Sequence, residues 1–120
     1  MSEEFRLDVV VRDGGQWVVV HGEIDVATAP LLDETFDQRV SPDSDVVVDL
    51  GPCEFIDSTG VRSLVGVGRR WFDHDRSFSI VSPPASAARF TLDLLGVGDT
   101  IPVHDDVDAV GADDERADSA

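Results

Sequence analysis

The sequence contains no lysine, a single cysteine and no long apolar run. Without lysine the chain cannot form a Schiff base, and it lacks the lysine that phosphate-binding loops use. Cys53 has no partner for an intramolecular disulfide, and a Cys-based zinc site is excluded. No apolar stretch approaches the roughly 20 residues that span a bilayer, and residues 1–4 lack the features of a signal peptide. We therefore expect a cytoplasmic protein.

Positive charge is also scarce. Nine basic residues, all of them arginine, stand against 25 acidic residues, which gives a net charge of −16 and a pI near 4.1. A surface this acidic repels phosphate backbones and anionic lipid headgroups, so we expect neither direct nucleic-acid binding nor membrane association. Other proteins remain the expected partners.

Valine is abundant, and its runs at residues 9–11, 18–20 and 46–48 are typical of buried strands. The turn residues Asp13-Gly14-Gly15 predict an antiparallel hairpin between the first two strands. Three segments have helical spacing, beginning after Thr28, at Ser58 and at Ser82-Pro83-Pro84, the last running through Phe90 and Leu94 to Gly96. The predicted order is β-β-α-β-α-β-α-β.

This order predicts the α/β class: one domain over residues 1–110, with a mixed, mostly parallel sheet and helices packed against it. The last ten residues, 111–120, are small or charged and are predicted to form an acidic flexible tail.

The stretch Phe55-Ile56-Asp57-Ser58-Thr59-Gly60 lies between the central strand and the second helix. We expect Ser58 at the N-cap, where free N–H groups and the helix dipole favour an anion, although Asp57 and Glu54 oppose one. Phosphorylation of Ser58 would add about 1.5–2 negative charges, which suits the disruption of a protein contact. The alternative is that Ser58 is only a helix cap and Asp57 only a loop acid.

Several motifs occur in order over residues 5–110: Gly22-Glu23-Ile24-Asp25, Thr28-Ala29 with Leu32, Val48-Asp49-Leu50, the Phe55–Gly60 stretch and Ser82-Pro83-Pro84. Together they resemble the STAS domain, and more narrowly the bacterial anti-sigma factor antagonists. The resemblance implies a mixed sheet with packed helices.

The resemblance also implies that Ser58 is phosphorylated by an anti-sigma factor that is itself a serine kinase. Thr59 stands where many members have a second serine and is a minor candidate acceptor. The resemblance places Asp25 near the phosphosite and Gly60 in its turn, so that Asp25, Asp57, Thr59 and Gly60 surround the partner-binding site.

The function implied is that of a non-enzymatic switch. The unphosphorylated protein binds the anti-sigma factor and frees the sigma factor, and a serine phosphatase resets the phosphorylated form. The chain needs no cofactor, since the partner kinase binds the ATP. The alternative is a stressosome-like scaffold or an accessory STAS subunit of a transport system.

Other classes fit the sequence less well. Ser58 lacks the Gly-x-Ser-x-Gly elbow of a hydrolase, and His74 with Asp73 and Asp75 lacks the spacing of a metal site. A phosphoreceiver domain built on Asp49 would need a lysine late in the chain, and there is none.

Overall fold

A computed structural model describes residues 4–110, and the predicted tail at residues 111–120 lies outside the described residues. The chain begins with the hairpin β1 (Arg6–Arg12) and β2 (Gly15–Ile24), which pair antiparallel as predicted. Asp13 and Gly14 form the two-residue turn with φ of 53° and 81°. Positive φ at both positions is the signature of the type I′ turn, which matches the twist of a hairpin.

The remaining elements alternate between strand and helix with one exception. In chain order they are α1 (Ala29–Gln38), β3 (Val46–Asp49), β4 (Cys53–Ile56), α2 (Ser58–Asp73), β5 (Phe78–Val81), α3 (Ala87–Leu94) and β6 (Val103–His104). A short 3-10 turn (Val97–Asp99) precedes β6, and residues 107–110 form a further helical turn.

The sheet has six strands in the order β1-β2-β3-β5-β6, with β4 paired to β2 outside this path. All pairings except the hairpin are parallel. The predicted single, mostly parallel α/β fold is confirmed. The predicted element order was wrong at residues 53–56, because it lacks strand β4.

The extra strand exists because β2 is long. β3 pairs with residues 16–19 of β2, and the carboxyl-terminal end of β2 then pairs with β4 from Gly22 to Ile24. The register shifts beside Gly22, whose φ is 85°, a value that glycine adopts without steric cost. β4 therefore extends the sheet beyond the end of β3.

The main core lies between the sheet and the helices. Phe36 of α1, Trp71 of α2 and Phe78 of β5 are buried together, with ring centroids 5.5–6.3 Å apart. A smaller cluster joins Trp17 and Val81 to Val110. Both tryptophans are therefore core residues.

The third helix differs from its prediction. It begins at Ala87, and the cap is Ser86, whose hydroxyl oxygen accepts a hydrogen bond from the Arg89 N–H at 3.0 Å. A residue before proline is disfavoured in the helical region, so the consecutive prolines delay the helix past Pro84. Its buried residues are Ala88 and Leu92. Phe90 and Leu94, through which the predicted helix runs, are 69 % and 71 % exposed.

Candidate functional site

The candidate site lies at the carboxyl ends of the paired strands β2 and β4. Asp25 directly follows β2, and Asp57 directly follows β4. The Asp57 N–H donates a hydrogen bond of 3.1 Å to the carbonyl oxygen of Ile24. Because the two strands are parallel, their carboxyl ends lie side by side at the same end of the sheet. The structure therefore brings the β2–α1 turn and the β4–α2 turn together, as expected.

Asp57 caps helix α2, and Ser58 is the first helical residue. The backbone of Asp57 is extended, and its Oδ1 accepts a hydrogen bond of 2.9 Å from the Gly60 N–H. The prediction that Ser58 occupies the N-cap was therefore wrong by one residue. A carboxylate at Asp57 performs the capping, which leaves the hydroxyl of the exposed Ser58 at the surface instead of bound to the helix backbone.

Gly60 packs the start of α2 against both strands. A Cβ atom at this position would lie 2.7 Å from side-chain carbons of Ile24 and Ile56, and 2.9 Å from the Ile24 carbonyl oxygen. Real Cβ atoms do not approach other heavy atoms so closely, so only glycine fits without displacement of β2 or β4. Gly60 thereby fixes the distance between the Ser58 turn and the sheet.

Asp25 organises the β2–α1 turn. Its Oδ1 accepts hydrogen bonds from the N–H groups of Ala27 at 2.9 Å and Thr28 at 3.1 Å. Thr28 precedes α1 as expected, but its side chain makes no cap bond to the helix. The Thr28 hydroxyl donates instead to the Glu23 carbonyl oxygen at 2.8 Å. This network holds Asp25 in a fixed position beside the second turn.

Thr59 faces a different part of the surface from Ser58. It is half-buried and lines a groove of about 550 Å³ between α1 and α2. Val26, Pro30, Arg62 and Gly66 also line this groove. The two candidate acceptors therefore differ in accessibility, with Ser58 the more exposed.

Val26 was not among the predicted site residues. It is 73 % exposed, directly follows Asp25 and lines the α1–α2 groove. The available signal in the sequence was a valine in a short turn between an aspartate and a helix start, which carries no structural pattern. Exposed apolar side chains at a site edge are what protein contacts use.

His74 lies far from Ser58, and His21 is engaged with another side chain. His74 follows the last turn of α2, whereas Ser58 begins that helix, so about 24 Å of helix separates them. His21 lies on β2, with its Nε2 3.1 Å from an oxygen of Asp8. Neither His74 nor His21 is therefore placed to act as a base for the Ser58 hydroxyl.

The fold and site together define a class of small mixed α/β domains that present an exposed serine at the start of a helix, beside a turn built on aspartates. The STAS domain family model matches residues 6–110. The chain belongs to the STAS domain family.

The similar proteins share a description. An anti-sigma-B factor antagonist of Staphylococcus epidermidis is 29 % identical over 101 residues, which cover 83 % of this chain and 93 % of the relative. The crystal structure of an anti-sigma factor antagonist from Mycobacterium paratuberculosis has a TM-score of 0.80 and 29 % identity, covering 91 % of this chain and 94 % of that chain.

A second similar structure shows the fold only. The Bacillus cell fate determinant SpoIIAA, solved in its phosphorylated form, has a TM-score of 0.60 at 18 % identity and covers 91 % of this chain and 98 % of that chain. Within residues 4–110, none of the helices is long and apolar enough to cross a membrane.

Proposed function

We propose that this chain is an anti-sigma factor antagonist switched by phosphorylation of Ser58. In its unphosphorylated form it binds an anti-sigma factor through the surface around Ser58, and the sigma factor is released. The same anti-sigma factor acts as a serine kinase, binds the ATP and transfers a phosphoryl group to Ser58, which ends the interaction. A serine phosphatase restores the binding form. The antagonists among the similar proteins support the partner class.

The observation that carries the proposal is the accessibility of the Ser58 hydroxyl on a turn of fixed geometry. Asp57 takes over the cap, Gly60 packs the helix start on the strands, and Asp25 orders the neighbouring turn. A kinase needs a hydroxyl that is exposed and free of a capping role, and Ser58 meets both conditions. Thr59, half-buried against the α1–α2 groove, is the poorer acceptor.

Electrostatics explain why a phosphate would affect binding more than folding. At the start of α2 the phosphate meets N–H groups that have no intrahelical partner and the positive end of the dipole, worth about 0.3–1 kcal/mol at an exposed site. Repulsion from Asp57 and Asp25 opposes this, screened by salt over about 8 Å. In a complex the same dianion loses water against a surface shaped for a neutral hydroxyl, which costs several kcal/mol.

Phosphorylation in vitro tests the acceptor. The purified protein is incubated with ATP and with serine-kinase anti-sigma factors from its source organism, and the modified residue is located by mass spectrometry. We expect phosphate on Ser58, none on a Ser58→Ala variant, and unchanged modification of Thr59→Ala. Phosphate on Thr59 or another residue with Ser58 unmodified would refute the proposed switch.

A further inference from the structure

Strand β1 forms one edge of the sheet. It is the first strand of the order and pairs with β2 alone among the described residues. Its carboxyl-terminal half is apolar and accessible, with Val10 40 % and Val11 77 % exposed. An apolar edge strand of this kind is a template for pairing with another strand.

The hairpin geometry decides which backbone groups of β1 point outward. The two-residue turn is closed by Arg12 and Gly15, which form a hydrogen-bonded pair. Hydrogen-bonded pairs alternate along the hairpin, so the even-numbered residues of β1 bond to β2, and the N–H and C=O groups of Leu7, Val9 and Val11 face away. In agreement, the Leu7 carbonyl oxygen is contacted by the Arg39 side chain at 3.5 Å.

Arg39 lies against the first half of the edge, whereas the outward backbone groups of Val9 and Val11 have no strand partner among the described residues. The Arg12 guanidinium lies over the Trp17 ring of its own chain, 4.5 Å from the ring centroid. A second β1 strand that pairs antiparallel with this edge can form hydrogen bonds only where its own outward-facing residues lie opposite Val9 and Val11. One register that meets this condition centres on Val10. It places Val9 opposite Val11 of the second copy, and Val10 opposite Val10.

The charges favour this register over its neighbour. In the register centred on Val10, Asp8 of each copy lies opposite Arg12 of the other copy, which gives two pairs of opposite charge. In the register centred on Val9, Arg6 of each copy would lie opposite Arg12 of the other copy. Like charges directly opposite each other destabilise a sheet. Asp8 is 45 % exposed and already accepts from Arg6 and His21, but a carboxylate has acceptor sites for a further guanidinium.

We propose that the Val9–Arg12 edge of β1 is a self-association surface, on which a second copy of this chain adds its own β1 antiparallel about Val10. The two sheets then continue across a two-fold axis, an isologous arrangement. The area is small, and two chains of charge −16 repel each other, so the dimer is weak and concentration-dependent.

The surface is independent of the Ser58 site. Because β1 runs antiparallel to β2, residues 9–12 of β1 lie beside residues 15–18 of β2, at the amino end of that strand. Asp25 and Ser58 follow the carboxyl ends of β2 and β4. Dimerisation therefore leaves the Ser58 site accessible, and Ser58→Asp is expected to leave the association unchanged.

Analytical ultracentrifugation over a concentration series into the millimolar range tests the proposal. The wild type is expected to show a growing dimer fraction. Arg12→Asp places an aspartate opposite Asp8 at both ends of the paired segment and is expected to raise the dissociation constant at least about tenfold. The charge swap Asp8→Arg with Arg12→Asp is expected to restore it to within about threefold of the wild type.

Two further variants control for net charge and for folding. Arg76→Asp, at an exposed loop position, makes the same change in net charge and is expected to leave the association unchanged. Val11→Pro removes an outward N–H that β2 does not use, so it is expected to abolish the dimer while circular dichroism stays native. A wild type that stays monomeric, a dimer that resists Val11→Pro, or a charge swap that fails to restore association would overturn the proposal.

Discussion

Two residues fix the geometry of the β4–α2 turn by different physical means. The Asp57 carboxylate accepts a hydrogen bond from the first turn of α2. Gly60 has no side chain, which lets the helix approach Ile24 and Ile56 closely. The exposed serine between them depends on both. The glycine is the more restrictive of the two, since a polar cap can be exchanged among several residue types.

The glycines of α2 give a matched pair of variants. Gly60→Ala forces a Cβ within 2.7 Å of two buried isoleucines and is expected to destabilise the fold by about 1–3 kcal/mol. Gly66→Ala meets no atom within 4 Å and replaces a helix-interior glycine, so it is expected to stabilise the fold by up to ~1 kcal/mol. Urea denaturation of both variants checks the prediction, and equal effects would contradict the packing assigned to Gly60.

Cys53 gives a prediction in pH. Burial raises the pKa of its thiol from 9.0 to about 11. Above pH 9 the unfolded chain therefore loses this proton while the folded chain keeps it. The stability associated with the neutral thiol is fully present below pH 9 and is lost as the pH rises toward 11, at about 1.4 kcal/mol per pH unit.

A comparison with Cys53→Ala isolates this contribution. The free energy of unfolding from urea titrations is measured for both proteins from pH 8 upward. The wild type is expected to lose more stability than the variant between pH 9 and 11. Parallel curves of unfolding free energy against pH for the two proteins would show that burial does not raise the pKa of the Cys53 thiol.

At the scale of elements, the sequence predicts what local chemistry determines. The turn residues predicted the hairpin, and the helical spacing predicted a helix that begins at Ser58. Ser58 is indeed the first residue of α2, although Asp57 and not Ser58 caps it. Strand β4 could not be found in this way. It has four residues, and its pairing with β2 depends on how far β2 extends beyond β3.

The outward face of α3 was also beyond the sequence. Leu92 and Phe90 have equal claim to the core by composition, and only the packing of α3 against β4 selects Leu92. At the site, the turn residues and the acceptor were predictable from motifs. Val26 and the α1–α2 groove were not, because they arise where two elements meet.

The orientation of α3 predicts unequal effects of two alanine substitutions. Leu92→Ala opens a cavity in the core and is expected to cost about 2–5 kcal/mol. Phe90→Ala removes an exposed ring and is expected to change stability by no more than about 0.5 kcal/mol. Thermal unfolding of the two variants measures the difference, and the opposite ranking would mean that α3 packs through its other face.

At the scale of the whole molecule, the proposed switch acts through charge on a rigid fold. The phosphate at Ser58 adds to a chain that already carries −16, and local attraction and repulsion at the helix start are comparable in size. We therefore expect phosphorylation to shift the amide NMR signals of the free protein mainly at residues 23–27 and 55–63. Shifts of similar size in β1 and β5 would instead indicate a rearranged fold.

The central claim is that phosphate on Ser58 weakens binding to the anti-sigma factor. Calorimetric titration of that factor with the unphosphorylated and the Ser58-phosphorylated protein tests it most directly. Ser58→Asp and Ser77→Asp provide the charge-matched pair. Ser77 is exposed and precedes β5 at the amino end of the parallel strands, whereas Ser58 lies at their carboxyl end. We predict that phosphorylation weakens binding at least about tenfold, or 1.4 kcal/mol, that Ser58→Asp reproduces the loss, and that Ser77→Asp does not. Equal affinity of the phosphorylated and unphosphorylated proteins for the anti-sigma factor would contradict the account.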